Sequence, residues 1–140
     1  GKYYSKSIAE ELQRHHKPAN LTVTDFISDM GTAYRAADLV ISRAGASSIS
    51  EFCLIGKPVI LVPSPNVAED HQTKNAMALT DRNAAICVKD SDAPDTLLSL
   101  AVETVADTTL LENLSANILH MALPDSATVI AREVIRMATK

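Results

Sequence analysis

The chain has 140 residues, of which 46% are hydrophobic and 21% charged, with a net charge of −4. That length suits one domain around one core, and the balance is that of an ordinary globular domain. Aromatic residues are only 4% and tryptophan is absent, which together with the negative charge argues against nucleic acid as a partner, because such surfaces set basic side chains beside stacking rings.

The first residues, Gly1-Lys2-Tyr3-Tyr4, have neither the look of a natural start nor that of a secretory signal, and they read as part of a longer chain. Tyr4, Ile8 and Leu12 recur at helical spacing, which predicts an amphipathic helix over 5–15 that Pro18 and Asn20 stop. Leu21 to Phe26 alternate and predict a strand. A short helix over 30–37 follows, then a buried parallel strand at 38–42. Ile49, Phe52 and Cys53 mark a helix beginning near Ala46, with Gly56 as its C-cap. Val59 to Val62 form the next strand, far too short to span a bilayer, and Pro63 and Pro65 close it. A loop at 64–69, a helix at 70–79 and a strand at 84–88 come next. Three helices complete the chain, marked by Leu97, Leu98, Ala101, Val102 and Val105, by Leu111, Leu114, Ile118 and Met121, and by Ile130, Val134 and Met137. Asp125 or Ser126 caps the last of them.

Alternating buried strands and helices predict an α/β fold, a doubly wound Rossmann-like parallel sheet, with 1–140 as a single domain. Ligands in such sheets bind beyond the carboxyl ends of the strands. That rule singles out Phe26-Ile27, Arg43 to Ser48, and Pro63 to Gln72. Cys53 and Cys87 lie in apolar stretches without metal-ligand spacing. His15, His16, His71 and His120 show no zinc spacing either. Both cysteines are expected to be buried, reduced core residues of a cytosolic protein.

The segment Ser42-Arg43-Ala44-Gly45-Ala46-Ser47-Ser48-Ile49-Ser50-Glu51 ends a strand, turns at a glycine and starts a helix with small residues. Unbonded N–H groups and the helix dipole make such an N-terminus a ready anion site. Arg43 could add charge. Glu51, about one turn inside, suits a vicinal diol such as a ribose. The same residues also suit a plain strand–helix turn with serine caps. In Pro63 to Ala76, His71 and Gln72 fall in the first helical turn, and the Gln72 amide could hold sugar hydroxyls; a solvated helix start is the alternative. In the third segment, backbone at Phe26 and Ile27 could pair with the edge of a flat base, or both could be core residues.

These three segments, in this order, resemble the C-terminal domain of the MurG family, glycosyltransferases with the two-domain GT-B fold. The matching features are Thr24 to Met30, Ala37 to Ala46, Ser50-Glu51, Gly56-Lys57-Pro58, Pro63 to Val67, and His71-Gln72 with Lys74-Asn75-Ala76. They run over nearly the whole chain. The resemblance implies UDP-N-acetylglucosamine (UDP-GlcNAc) as donor. It assigns uracil to backbone at Ile27, the diphosphate to Ala46, Ser47, Ser48, Ile49 and Ser50, the ribose to Glu51 and the GlcNAc hydroxyls to Gln72. Phe26, Arg43, Gly45, His71 and Asn75 are further candidates beside them.

Against the family pattern, the N-terminal acceptor domain, with its glycine-rich loop and candidate base histidine, is missing. So are the first two strands of the C-terminal domain. The expectation is therefore the C-terminal half of a GT-B transferase, carrying donor-binding residues but no catalytic residue and no cofactor. No metal is expected, since the helix dipole can supply the charge, and a metal-binding Asp-x-Asp motif is read as absent. The whole enzyme would move GlcNAc, with inversion, to the C4 hydroxyl of a lipid-linked MurNAc-pentapeptide. It would sit peripherally on the cytoplasmic face of the bacterial inner membrane. The rivals are another UDP-sugar-dependent GT-B transferase or subunit, a UDP-GlcNAc epimerase, and a non-catalytic nucleotide-binding domain.

Overall fold

A computed structural model of the chain describes Glu10, Arg14, residues 19–65 and residues 70–139. Two compact units make it up, Gly1–Ala36 and Ala37–Lys140. The predicted helix at 5–15 lies almost wholly outside the described residues.

In the first unit, Met30–Ala36 form helix α1. Asp29 caps it. Its Oδ1 accepts the Thr32 backbone N–H at 2.9 Å, and the Thr32 hydroxyl donates to Oδ2 at 2.6 Å, which satisfies a donor the helix start leaves open. The hydroxyl bond, then the backbone bond, favour the ionised carboxylate and hold Asp29 below the ordinary aspartate range. The predicted strand at 21–26 does not form. Among the described residues this segment has no place in a sheet, and Leu21 and Val23 stay exposed. Alternation alone makes no strand without a neighbour to supply the ladder.

The second unit follows the expected α/β order: β1 (Val40–Ser42), α2 (Ala46–Ile55), β2 (Val59–Leu61), α3 (His71–Thr80), β3 (Ile86–Cys87), α4 (Ala93–Ala106), α5 (Thr108–Leu119) and α6 (Ser126–Ala138). The strands lie side by side in the order β1-β2-β3, all parallel. Ser42 stands beside Leu61, and Leu61 beside Cys87. All three strands therefore end at one edge of the sheet, and the loops that leave them share it. Sequential parallel strands joined by helices are the arrangement of one half of a doubly wound sheet.

β2 is central and buried throughout, as its unbroken Val-Ile-Leu run requires. Ile60, Val62 and Val88 pack beneath Leu97, Leu100 and Ala101 of α4. Val59 and Leu61 point to the other face. Phe52, Leu79, Leu114 and Ile118, from α2, α3 and α5, are the large side chains these helices bury. α2 ends at Gly56, whose φ of 62° is left-handed, and the Ser115 hydroxyl of α5 donates to the Gly56 carbonyl at 2.6 Å. Asp107 caps α5 by accepting the Leu110 N–H at 2.9 Å.

Among the described residues β1 pairs with β2 alone, and Ile41 is 47% exposed. Both cysteines are free, and burial pushes both thiols up. Cys53 is buried as expected, but Cys87 only in part, because β3 lies last in the sheet. Among the described residues no helix is long and apolar enough to cross a membrane.

Candidate functional site

The carboxyl edge of the sheet gathers the second unit's sequence candidates. From Ser42 the chain runs through Arg43 and Ala44 to Gly45, the N-cap of α2. The first helical bond is from the Ile49 N–H to the Gly45 carbonyl, at 3.0 Å. The N–H groups before Ile49, those of Ala46, Ser47 and Ser48, lie in the turn that a helix leaves without internal partners. Gly45 brings no side chain to cap them. Their partial charges and the helix dipole favour an anion there.

Gly45 itself departs from the expectation. Its φ is −70° and ψ 142°, an extended conformation open to any residue, so the turn does not need glycine's freedom. A Cβ there would meet nothing nearer than the Ser48 Oγ, at 3.9 Å. What glycine contributes is open approach to the helix start.

The remaining α2 candidates are spread along the helix. Ile49 has its N–H bonded inside the helix. The Ser50 hydroxyl donates back to the Ala46 carbonyl at 3.0 Å. Ile49 and Ser50 also line a groove of about 280 Å³ with Cys53, Leu54, Met121 and Leu123, along the flank of α2. Glu51 is exposed one turn in.

Gln72 and Asn75 sit on α3, one turn apart. The Gln72 Oε1 accepts two backbone N–H groups, from Ser64 at 2.9 Å and Ala44 at 3.2 Å. Two converging donors assign the oxygen end of the amide. Only the amide nitrogen of Gln72 is then left to meet a ligand, so it can donate to a sugar hydroxyl but not accept. Asn75 donates from Nδ2 to the Ala44 carbonyl at 3.0 Å. His71, the first residue of α3, is exposed.

Arg43 crosses the sheet edge. Its Nη1 donates to the carbonyls of Val62 at 3.2 Å and Pro63 at 3.3 Å, and forms an ion pair with Asp90. Asp90-Ser91-Asp92 does carry the Asp-x-Asp spacing, which corrects the sequence reading. Its first carboxylate is paired to Arg43, and its second accepts the Ser91 hydroxyl at 2.7 Å.

The family model described as the glycosyltransferase family 28 C-terminal domain matches residues 1–130. The chain belongs to that family. It is 63% identical over 138 residues to the UDP-N-acetylglucosamine–N-acetylmuramyl-(pentapeptide) pyrophosphoryl-undecaprenol N-acetylglucosamine transferase of Bacteroides fragilis, covering 99% of this chain and 36% of that protein. It is 62% identical over 138 residues to the same-named protein of Bacteroides thetaiotaomicron, covering 99% of this chain and 37% of that one. The crystal structure of Acinetobacter baumannii MurG superposes with a TM-score of 0.80 at 33% identity, over 92% of this chain and 40% of that one. The chain thus spans between 36% and 40% of the length of these relatives. The family and the similarity to MurG proteins agree with the resemblance read from the sequence.

In the family 28 domain, then, the second unit brings Arg43, Gly45, Ala46, Ser47, Ser48, Gln72 and Asn75 to one sheet edge. Phe26 and Ile27 belong to the first unit. They are 81% and 44% exposed, so neither is a core residue, and the Thr24 hydroxyl donates to the Phe26 carbonyl at 2.9 Å. Sequence reasoning missed three participants: the Ala44 peptide, the Ser64 N–H and Asp90. The rule that sites follow strand ends could have found Asp90, which lies three residues after Cys87. Nothing in the residue types of Ala44 or Ser64 marks their backbone groups.

Proposed function

We propose that this chain supplies the donor-binding half of an enzyme that transfers GlcNAc from UDP-GlcNAc to undecaprenyl-diphospho-MurNAc-pentapeptide in bacterial cell-wall synthesis. One observation carries the reading most. The start of α2 presents the N–H groups of Ala46, Ser47 and Ser48 at the carboxyl edge of a parallel sheet, with the Gln72 amide, from the first turn of α3, bonded to the Ala44 and Ser64 N–H groups beside it. A helix start at the carboxyl edge of a parallel sheet suits a nucleotide-sugar diphosphate.

On this reading the helix start holds the diphosphate and stabilises the charge that grows on UDP as it departs, an electrostatic contribution needing no metal. Glu51 accepts from the ribose 2′- and 3′-hydroxyls. Gln72 donates to a GlcNAc hydroxyl. Ile27 takes the uracil edge through its backbone, an assignment resting on the family resemblance. Ile49 and Ser50 act through their place in the helix, since the groove they line runs along its flank. The acceptor lipid and the catalytic base belong to the part of the enzyme outside this chain, which associates peripherally with the cytoplasmic face of the inner membrane.

The test uses the full-length enzyme. Labelled UDP-GlcNAc with a lipid-linked MurNAc-pentapeptide should yield the disaccharide with inversion. Tight binding of an adenine nucleotide sugar in preference to UDP-GlcNAc, or transfer of a different sugar, would overturn it.

A further inference from the structure

The Ala44 peptide has both of its polar groups held by one helix. Its N–H goes to the Gln72 Oε1 and its C=O to the Asn75 Nδ2, at 3.2 and 3.0 Å. Gln72 and Asn75 stand three residues apart, so they share a face of α3. Ala44 is completely buried, one residue before the N-cap of α2. A buried peptide must be bonded, and here no strand or helix ladder does it. The same Gln72 oxygen also takes the Ser64 N–H, which ties the loop after β2 into the arrangement. α3 is thereby a strut joining two strand-end loops.

We propose that Asn75 and Gln72 form a latch on the Ala44 peptide that positions the first turn of α2 for the donor diphosphate. This rests on the donor-binding reading above. Asn75 is then a positioning residue, acting on the ligand through Ala44 and the helix start, and not by touching the sugar. The N–H groups of Ala46, Ser47 and Ser48 are aimed by the two residues before them, Ala44 and Gly45. Gly45 has no side chain with which to hold itself, so the aim is set at Ala44. Binding and catalysis by oriented donors are sensitive to displacements of an ångström or less.

The experiment compares uridine, UDP and UDP-GlcNAc binding to the full-length enzyme and its Asn75→Ala and Gln72→Ala variants. It adds amide exchange at Ala44 and Ser64. The latch predicts that Asn75→Ala weakens UDP and UDP-GlcNAc by the same factor, about three- to tenfold for one lost bond, and leaves uridine unchanged. Gln72→Ala should show that loss too, with a further drop for UDP-GlcNAc alone. Asn75→His, which restores an N–H donor, should recover part of the UDP affinity. Loss confined to UDP-GlcNAc in Asn75→Ala would make Asn75 a direct sugar contact and overturn the proposal. Equal loss for all three ligands would reduce it to general stability, and also overturn it. If the wild type binds no UDP, the donor reading fails. Amide exchange then decides the latch alone: Ala44 and Ser64 protected in wild type and exposed in Gln72→Ala support it, and no difference overturns it.

Discussion

Arg43 and Asp90, 47 residues apart in the sequence, form an ion pair across the carboxyl edge of the sheet. Arg43 leaves the end of β1, passes the end of β2, where it donates to the Val62 and Pro63 carbonyls, and meets Asp90 beyond β3. The ion pair is half-exposed, and such pairs contribute only about 0–1 kcal/mol. The bonds to buried residues matter more. Arg43→Ala should therefore destabilise the full-length enzyme by about 1–3 kcal/mol, and Asp90→Ala by about 0–1 kcal/mol. Denaturant unfolding of both variants checks this. Equal losses would mean that the carbonyl bonds contribute nothing.

Gly56 closes α2 with a left-handed φ of 62°. A Cβ there would lie 3.4 Å from the Leu119 Cβ, ordinary contact. The cost of Gly56→Ala is thus conformational, about 1–2 kcal/mol, with the α2–α5 packing retained. The expected result is a lower melting temperature and unchanged UDP affinity.

Asp29 is held below its ordinary pKa by the Thr32 hydroxyl and backbone bonds. A carboxyl depressed in the folded state stabilises at pH above its unfolded value. That contribution is lost as pH falls through the lower, folded value. Local helix α1 should loosen in acid below the ordinary aspartate range, and Asp29→Asn should weaken that pH dependence. Amide exchange at Thr32 against pH reads it out. The same acid response in the variant would assign it elsewhere.

The order of elements and the parallel sheet were legible because the strands are short apolar runs between helical patterns, most clearly Val59-Ile60-Leu61 between Pro58 and Pro63. The start of α2 was legible for the same reason, as small residues follow directly on a strand. Leu21 to Phe26 misled because alternation signals a strand only where a neighbour exists. Gly45 misled because its identity suggested a backbone need, while its extended dihedrals are open to any residue. The Ala44 latch was illegible because it is made of backbone groups brought together by the β–α–β crossover. Arg43 looked like a ligand for phosphate. Only the fold reveals that Asp90 and two carbonyls already engage its Nη1.

Ile41 is 47% exposed on β1, which among the described residues is an edge strand paired with β2 alone. An open parallel edge invites association. A longer piece of the enzyme that includes the two strands expected beside β1 should melt higher and aggregate less than residues 1–140 alone. Differential scanning calorimetry and light scattering compare them. Unchanged melting would count against that strand order.

Glu51 lies one turn into α2, the helix whose start suits an anion. On the proposed donor-binding reading, the Glu51 carboxylate accepts from the two ribose hydroxyls. The measurement is binding of UDP and 2′-deoxy-UDP to the full-length enzyme and to Glu51→Ala. Losing hydrogen bonds to a charged acceptor should weaken UDP about ten- to a hundredfold. Wild type should bind 2′-deoxy-UDP less tightly than UDP, with that difference smaller in Glu51→Ala. Wild-type enzyme that binds the two nucleotides equally, with Glu51→Ala unchanged toward both, would contradict the placement of the donor on α2.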